Sequence, residues 1–220
     1  MSIADKKIYL LETVKPMMAQ WPGNRTVNIA CHGHSVPAGY FATPMVDTFN
    51  AYPHLLHAGL KHRFPFAVVN VIVTAIGGEN SESGAKRFSR DVLSHSPDVV
   101  TIDYGLNDRG LGLQKSLDSW KAMIESALGA GSRIILLTPT LDATQSPFYR
   151  GDDKDELPMF AEQIRRLADK YETGLVDSFA AFKEYMKTGD LSDLMAWSNH
   201  PNRKGHELVA AELLRWFPIG

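Results

Sequence analysis

The 220-residue chain is 44% hydrophobic and 22% charged with a formal net charge of -2. That is enough apolar material for one sizeable core and too little length to favour two, so a single domain spanning 1–220 is expected. Lysine and arginine are dispersed rather than gathered in a stripe, which argues against nucleic acid as a partner.

The N-terminal segment lacks a basic stretch followed by an uninterrupted apolar one. Its apolar residues Ile8, Leu11, Val14 and Met18 recur at helical spacing instead, and Trp21 follows as a packing residue. No stretch approaches the roughly 20 apolar residues of a membrane span. A soluble protein with no membrane partner is expected, cytoplasmic if the chain is complete; the pattern says nothing about oligomeric state. The first β-branched run, 26–31, ends on Cys31, which stands alone in the sequence and so forms no intrachain disulfide. It reads as a small buried residue and fits a reducing compartment. Further strands are predicted at 67–73, 98–103, 133–138 and 174–177, each short and apolar enough to be buried on both faces. Helices are predicted at 51–63, 83–94, 114–129, 155–172, 178–187 and 203–216, with Trp120 and Trp216 as packing residues. Strands alternating with helices give an α/β fold, a three-layer α/β/α sandwich around a five-stranded, mostly parallel sheet. A flavodoxin-like order with the first strand central is compatible with this pattern but not dictated by it.

Open sheets of this kind bind ligands beyond the carboxyl ends of their strands, which singles out the loops 32–40, 74–84, 104–112 and 139–154. The polar stretch 146–158, with Gly151, Asp152, Asp153 and two prolines, is suited to bordering a cleft. The first loop reads Gly33-His34-Ser35-Val36-Pro37-Ala38-Gly39 and places a serine in a glycine-flanked turn. A nucleophilic hydroxyl needs such exposure and a base nearby, whereas an isolated serine in this setting serves equally as a turn or helix-start residue. Ile76-Gly77-Gly78 in the second loop lets backbone amides approach a developing oxyanion. Gly105-Leu106-Asn107-Asp108 in the third offers a side-chain amide donor. Asn199-His200-Pro201-Asn202 precedes the last helix and places His200 on a loop.

In this order the four segments resemble the four sequence blocks of the SGNH hydrolases, the GDSL esterase and lipase family, over almost the whole chain. The resemblance implies ester hydrolysis through an acyl-enzyme, with Ser35 as nucleophile and His200 as general base. It also implies an oxyanion hole built from the Ser35 amide, the Gly78 amide and the Asn107 side chain, and leaves the substrate open among sugar acetates, thioesters and lipid esters; the absence of a long apolar lid favours a small acylated substrate or acetylated sugar over bulk lipid. No metal or other cofactor is required by that chemistry.

Two positions depart from the family pattern. His34 stands where the family usually has aspartate. It raises a rival reading in which His32 and His34, with His54 and His57, bind a metal as in amidohydrolases, although five strands are too few for their eight-stranded barrel. His54 and His57 otherwise read as helix residues near the surface, and His206 as a residue of the last helix. The position three residues before the catalytic histidine, where the family carries its acid, is Trp197. A Ser-His dyad is therefore expected, with His200 Nδ1 donating to a main-chain oxygen near Trp197; Asp177 and Asp193 are the substitute acids. For Asp177 the competing role is the cap of the following helix. Trp197 is a candidate for lining the acyl pocket. Asp108 and Arg109 either touch substrate or pair within their loop, and Glu79 is ambiguous, with solvent exposure its plainest role. A non-catalytic glycan-binding protein is the third reading.

Overall fold

All five apolar runs join one sheet. In the computed structural model, which describes residues 2–151 and 156–219, β1 (Thr26–Gly33), β2 (Val68–Val73), β3 (Val99–Asp103), β4 (Arg133–Leu137) and β5 (Gly174–Val176) lie in the order β2-β1-β3-β4-β5. Every neighbouring pair is parallel. This is the flavodoxin-like order, but the centre is β3 rather than β1. Only β2 is laid down on one side of β1, while three strands are added on the other.

Side chains alternate across the pleat, so β1, β3, β4 and β5 feed two cores, whereas β2, expected to be buried on both faces, is an edge strand with Val68 48% and Val73 38% exposed. Val27, Ile29 and Cys31 of β1, Ile135 and Leu137 of β4 and Val176 of β5 pack on one layer. That layer comprises α1 (Leu11–Met18), α3 (Tyr52–Arg63), α7 (Ser178–Tyr185) and α8 (Arg203–Leu214). Ala30, Val100, Ile102, Ile134 and Leu136 face the opposite layer of α4 (Ser81–Asp91), α5 (Leu113–Gly129) and α6 (Leu157–Tyr171). Trp120 anchors this second core and Trp216 the first, both with no exposed surface. Each fully buried large apolar side chain contributes about 1.5–3 kcal/mol relative to its exposed state.

Three expectations need correction. The N-terminal helix forms, but its buried stripe is Leu10, Val14 and Met17; Ile8 is 63% exposed and Met18 44%. Ile8 precedes the first helical residue, and the i, i+4, i+7 set faces the sheet in place of the predicted one. Trp21 is 85% exposed and packs on nothing substantial. The helix expected from 83 starts at Ser81, because the Asn80 side chain accepts the Ser83 N–H at 3.1 Å and caps it two residues earlier. Residue 155, the predicted start of the 155–172 helix, and Asp152 and Asp153 of the polar loop lie outside the described residues.

One buried side chain ties the loops of the upper edge together. Asp108 has no exposed surface. Its oxygens accept the Ser81 N–H at 2.8 Å, the Ser116 hydroxyl at 2.7 Å and the Trp120 indole N–H at 2.7 Å. It thus joins the start of α4, α5 and the loop after β3, and its role is structural pairing rather than substrate contact. Asp108→Ala leaves three buried donors unpaired, at about 3–5 kcal/mol in total. A melting temperature lowered by about 10 °C is expected by calorimetry; an unchanged one contradicts this role.

Candidate active site

Ser35 is where the strand-to-helix turn puts it. β1 ends at Gly33, and there any Cβ would strike the Asp103 carbonyl oxygen of the neighbouring strand. Only glycine lets the chain pass so close and turn at once into the single-turn helix α2 (Ser35–Ala38). His34 caps that turn, its Nδ1 accepting the Val36 N–H at 3.2 Å. Ser35 is the first helical residue, and its own N–H donates to no acceptor among the described residues.

His200 is presented by a closed loop. Ala196 and Trp197 N–H groups both donate to the His200 carbonyl, at 2.9 and 3.2 Å, and the Asn202 N–H donates to Leu194 O at 2.8 Å. The Asn202 side chain then caps α8 through the Gly205 N–H. From this loop the imidazole Nε2 reaches Ser35 Oγ at 2.9 Å, and Nδ1 lies 2.9 Å from the carbonyl oxygen of Phe41. A carbonyl can only accept, so Nδ1 carries the proton and Nε2 faces the serine hydroxyl as the acceptor.

His200 Nδ1 thus faces the main-chain oxygen of Phe41, not the expected one near Trp197. The Trp197 backbone serves the His200 carbonyl instead, and its ring is 56% exposed. Nor do the substitute acids reach the imidazole. Asp177 caps α7 through the Ala180 N–H and holds Arg165 at 2.7 and 3.0 Å, while Asp193 accepts the Tyr185 hydroxyl at 2.8 Å and closes a capping box with Asp190. Phe41 is itself fixed: its N–H donates to Met45 O, and its ring stacks on buried His206 at 5.2 Å. Nothing in the sequence singles out Phe41, because every residue offers a carbonyl.

The second and third blocks meet beside the serine turn. The Ile76 N–H donates to Gly33 O at 3.1 Å, and Asn107 Nδ2 donates to Glu79 O at 2.8 Å, leaving its second amide hydrogen for another acceptor. Gly78 has φ +81, a left-handed conformation that side chains rarely adopt. A Cβ there would meet nothing within 4 Å, so the demand for glycine is conformational and the space above it is open. Its N–H donates to no acceptor among the described residues. Glu79 is held rather than solvated: it pairs with Arg87 at 2.9 and 2.6 Å and fixes the loop to α4.

The remaining histidines scatter. His32 is bonded to the Thr74 hydroxyl at 2.8 Å, the Gly84 carbonyl at 3.2 Å and the Tyr104 hydroxyl at 3.1 Å, and burial pushes its pKa down to about 4. His34 turns instead to Val36 and Asp103, so the pair does not converge on a shared ligand position. His54 and His57 lie on α3. His206 belongs to α8 as expected but is wholly buried, its Nδ1 accepting the Tyr52 N–H at 3.2 Å. Cys31 is buried, which raises its thiol pKa to about 12.

Beside Asn199 and the asparagine loop opens a polar cleft of about 530 Å³, floored by the Arg109–Asp142 ion pair at 2.5 Å and lined also by Thr144 and Ser198. A more apolar cavity of about 450 Å³ shares Ala143 and Ser198 with it and is lined by Phe148, Met195 and Trp197.

A serine and a histidine in hydrogen-bond contact at the carboxyl edge of a parallel α/β sheet define a hydrolase-type site, and the chain belongs to the GDSL-like lipase/acylhydrolase family, whose model matches residues 31–208. It is a carboxylic ester hydrolase. A curated relative, an acetylxylan esterase of Geobacillus stearothermophilus, is 29% identical over 174 residues, covering 71% of this chain and 75% of the relative. The crystal structure of a catalytic mutant of an acetylxylan esterase from the same organism matches the fold with a TM-score of 0.72 at 21% identity, covering 88% of this chain and 95% of that one. A two-domain esterase active on acetylated mannans matches with a TM-score of 0.71 at 20% identity, covering 96% of this chain and 52% of that one. Catalytic mutants of the Geobacillus enzyme replace a serine, a histidine and an aspartate three residues before that histidine. Trp197 occupies the position three residues before His200 here.

Burial lowers the His200 pKa below its ordinary value; the Phe41 carbonyl opposes this and the neighbouring His34 adds to it. A base that resists protonation stays neutral to lower pH, so the acid limb of kcat/KM is expected to have its midpoint below about 6.5. A pH–rate profile with the midpoint above that value contradicts the assignment.

Proposed function

We propose that the protein removes acetyl or other short acyl groups from an ester on a small substrate such as an acetylated sugar, through a Ser35-His200 dyad and an acyl-enzyme. The observation that carries this reading is the 2.9 Å contact of Ser35 Oγ with an imidazole whose other nitrogen is held by a carbonyl at 2.9 Å. Ser35 Oγ attacks the ester carbonyl while its proton passes to His200 Nε2. The imidazolium then keeps its Nδ1 proton on Phe41 O and returns the Nε2 proton to the departing alkoxide. Water, deprotonated by the same nitrogen, attacks the acyl carbon, and as the bond to Oγ breaks Nε2 returns that proton to Ser35 Oγ, releasing the acid and the free dyad. The negative oxygen of each tetrahedral intermediate is held by the Ser35 and Gly78 N–H groups and the Asn107 amide, donors that have hydrogen capacity to spare.

The dyad forgoes the charge of a triad acid but not its orienting role. When a triad acid is replaced by an amide, the roughly 10⁴-fold loss follows from the wrong tautomer. A carbonyl acceptor cannot stabilise that wrong tautomer. The polar cleft and the aromatic pair Trp197 and Phe148 beside it favour an acyl group carried on a carbohydrate, since aromatic faces pack against the apolar face of a sugar ring. The relatives' activity on acetylated xylan and mannan supports the same choice.

Two experiments follow. A fluorophosphonate is expected to label Ser35, and p-nitrophenyl acetate to be hydrolysed without added metal. Ser35→Ala and His200→Ala are each expected to lower kcat by about 10³-fold or more. A parent protein that is neither labelled nor active across a panel of acyl esters and acetylated oligosaccharides defeats the proposal.

A further inference from the structure

The residue before the nucleophile takes no part in that chemistry, yet it is better placed than a turn residue needs to be. His34 is 1% exposed; its Nδ1 accepts the Val36 N–H at 3.2 Å and stands 3.3 Å from Ser35 Oγ. An imidazole nitrogen that accepts a backbone N–H carries no proton, so the neutral ring holds its proton on Nε2. That nitrogen is buried, has no hydrogen-bond partner among the described residues, and lies 3.5 Å from Asp103 Oδ1, so its N–H dipole stands beside the carboxylate without an aligned hydrogen bond.

Asp103 ends β3 and is 4% exposed. Its Oδ2 accepts the Tyr52 hydroxyl of α3 at 3.3 Å, and its main-chain carbonyl accepts the His34 N–H at 3.2 Å. An aspartate at 34, the usual residue of the family this chain resembles, would set a second carboxyl against Asp103 in a buried site. Histidine sets an N–H rather than a second carboxyl beside Asp103 while keeping a side-chain acceptor at the cap.

We infer that His34 is a positioning residue for the nucleophile, with its acceptor nitrogen held toward Ser35 by Asp103 on the far side of the ring. Two parts of the site depend on it. Capping the Val36 N–H fixes the first turn of α2, which carries the Ser35 N–H proposed for the oxyanion. With its one lone pair given to the Val36 N–H, the ring bounds the far side of Ser35 Oγ at 3.3 Å and leaves the hydroxyl proton to His200 at 2.9 Å. Asp103 acts only through the ring: it fixes the Nε2–H tautomer and so keeps Nδ1 an acceptor.

This inference rests on Ser35 being the nucleophile, and the test separates the two. Four variants, His34→Leu, His34→Asn, Asp103→Asn and the His34→Asn/Asp103→Asn double, are compared with the parent. The readouts are the second-order rate of fluorophosphonate labelling, kcat and KM on p-nitrophenyl acetate, and melting temperature. His34→Leu is expected to slow labelling and kcat about tenfold with KM nearly unchanged. His34→Asn, whose Oδ1 caps in place of Nδ1, is expected to recover most of that loss. Asp103→Asn slows labelling in the parent background and has no further effect in the His34→Asn background. Folded His34→Leu labelled at the parental rate, no effect of Asp103→Asn in the parent, or an equal effect in both backgrounds overturns the inference. Should His34→Leu fail to fold, the Asp103 pair of backgrounds decides alone. A parent protein not labelled at Ser35 defeats the nucleophile assignment itself.

Discussion

The site depends on one constraint: His200 has to offer a lone pair to Ser35 while its other nitrogen gives a proton to an acceptor that never takes it. The Phe41 carbonyl meets that demand with no ionisable group. A neutral acceptor gives less Coulombic help to the imidazolium than a carboxylate. In return, no carboxylate has to be buried against the His200 imidazole itself, and burying an ion costs several kcal/mol unless it is fully paired. The direction of the His200 pKa agrees, since burial lowers it and no nearby carboxylate lifts it back.

Rigid parts hold each partner of that contact. Gly33 lets β1 run against β3, which sets Ser35 at the sheet edge; Phe41 is clamped by its ring on His206, which in turn accepts the Tyr52 N–H at the start of α3. The His200 loop is closed by hydrogen bonds across its own base and capped into α8. On the opposite side, Asp108 and the Glu79–Arg87 pair anchor the two loops that bring Gly78 and Asn107 together. Groups fixed by their own hydrogen bonds and packing surround donors that have bonds to spare. That is the arrangement a site needs if charge is to develop there without reorganisation.

The five strands and the alternation of layers were legible because short apolar runs between helical segments leave few other ways to bury themselves. The serine, glycine and asparagine segments were legible because each follows a strand end with turn residues around it, and the histidine segment, on the loop before α8, through the resemblance of the four together to the family. What escaped the sequence was contact between distant backbone groups. Phe41 orients His200 through an atom common to all residues, 159 positions away. Asp108 and Glu79 gave no sign of being buried or paired, because their partners Trp120 and Arg87 become neighbours only once α4 and α5 pack on the sheet. At the N-terminus the helical period was right and the face was wrong: Leu10 rather than Ile8 begins the buried stripe, a choice fixed by where the helix starts.

The central claim, that a carbonyl alone sets the tautomer of the base, is tested most directly by two-bond ¹H–¹⁵N correlation spectra of the imidazoles, with His200 assigned by its alanine variant. At a pH where the ring is neutral, the account predicts a proton on Nδ1 and a bare Nε2. A resting ring protonated on Nε2 contradicts it.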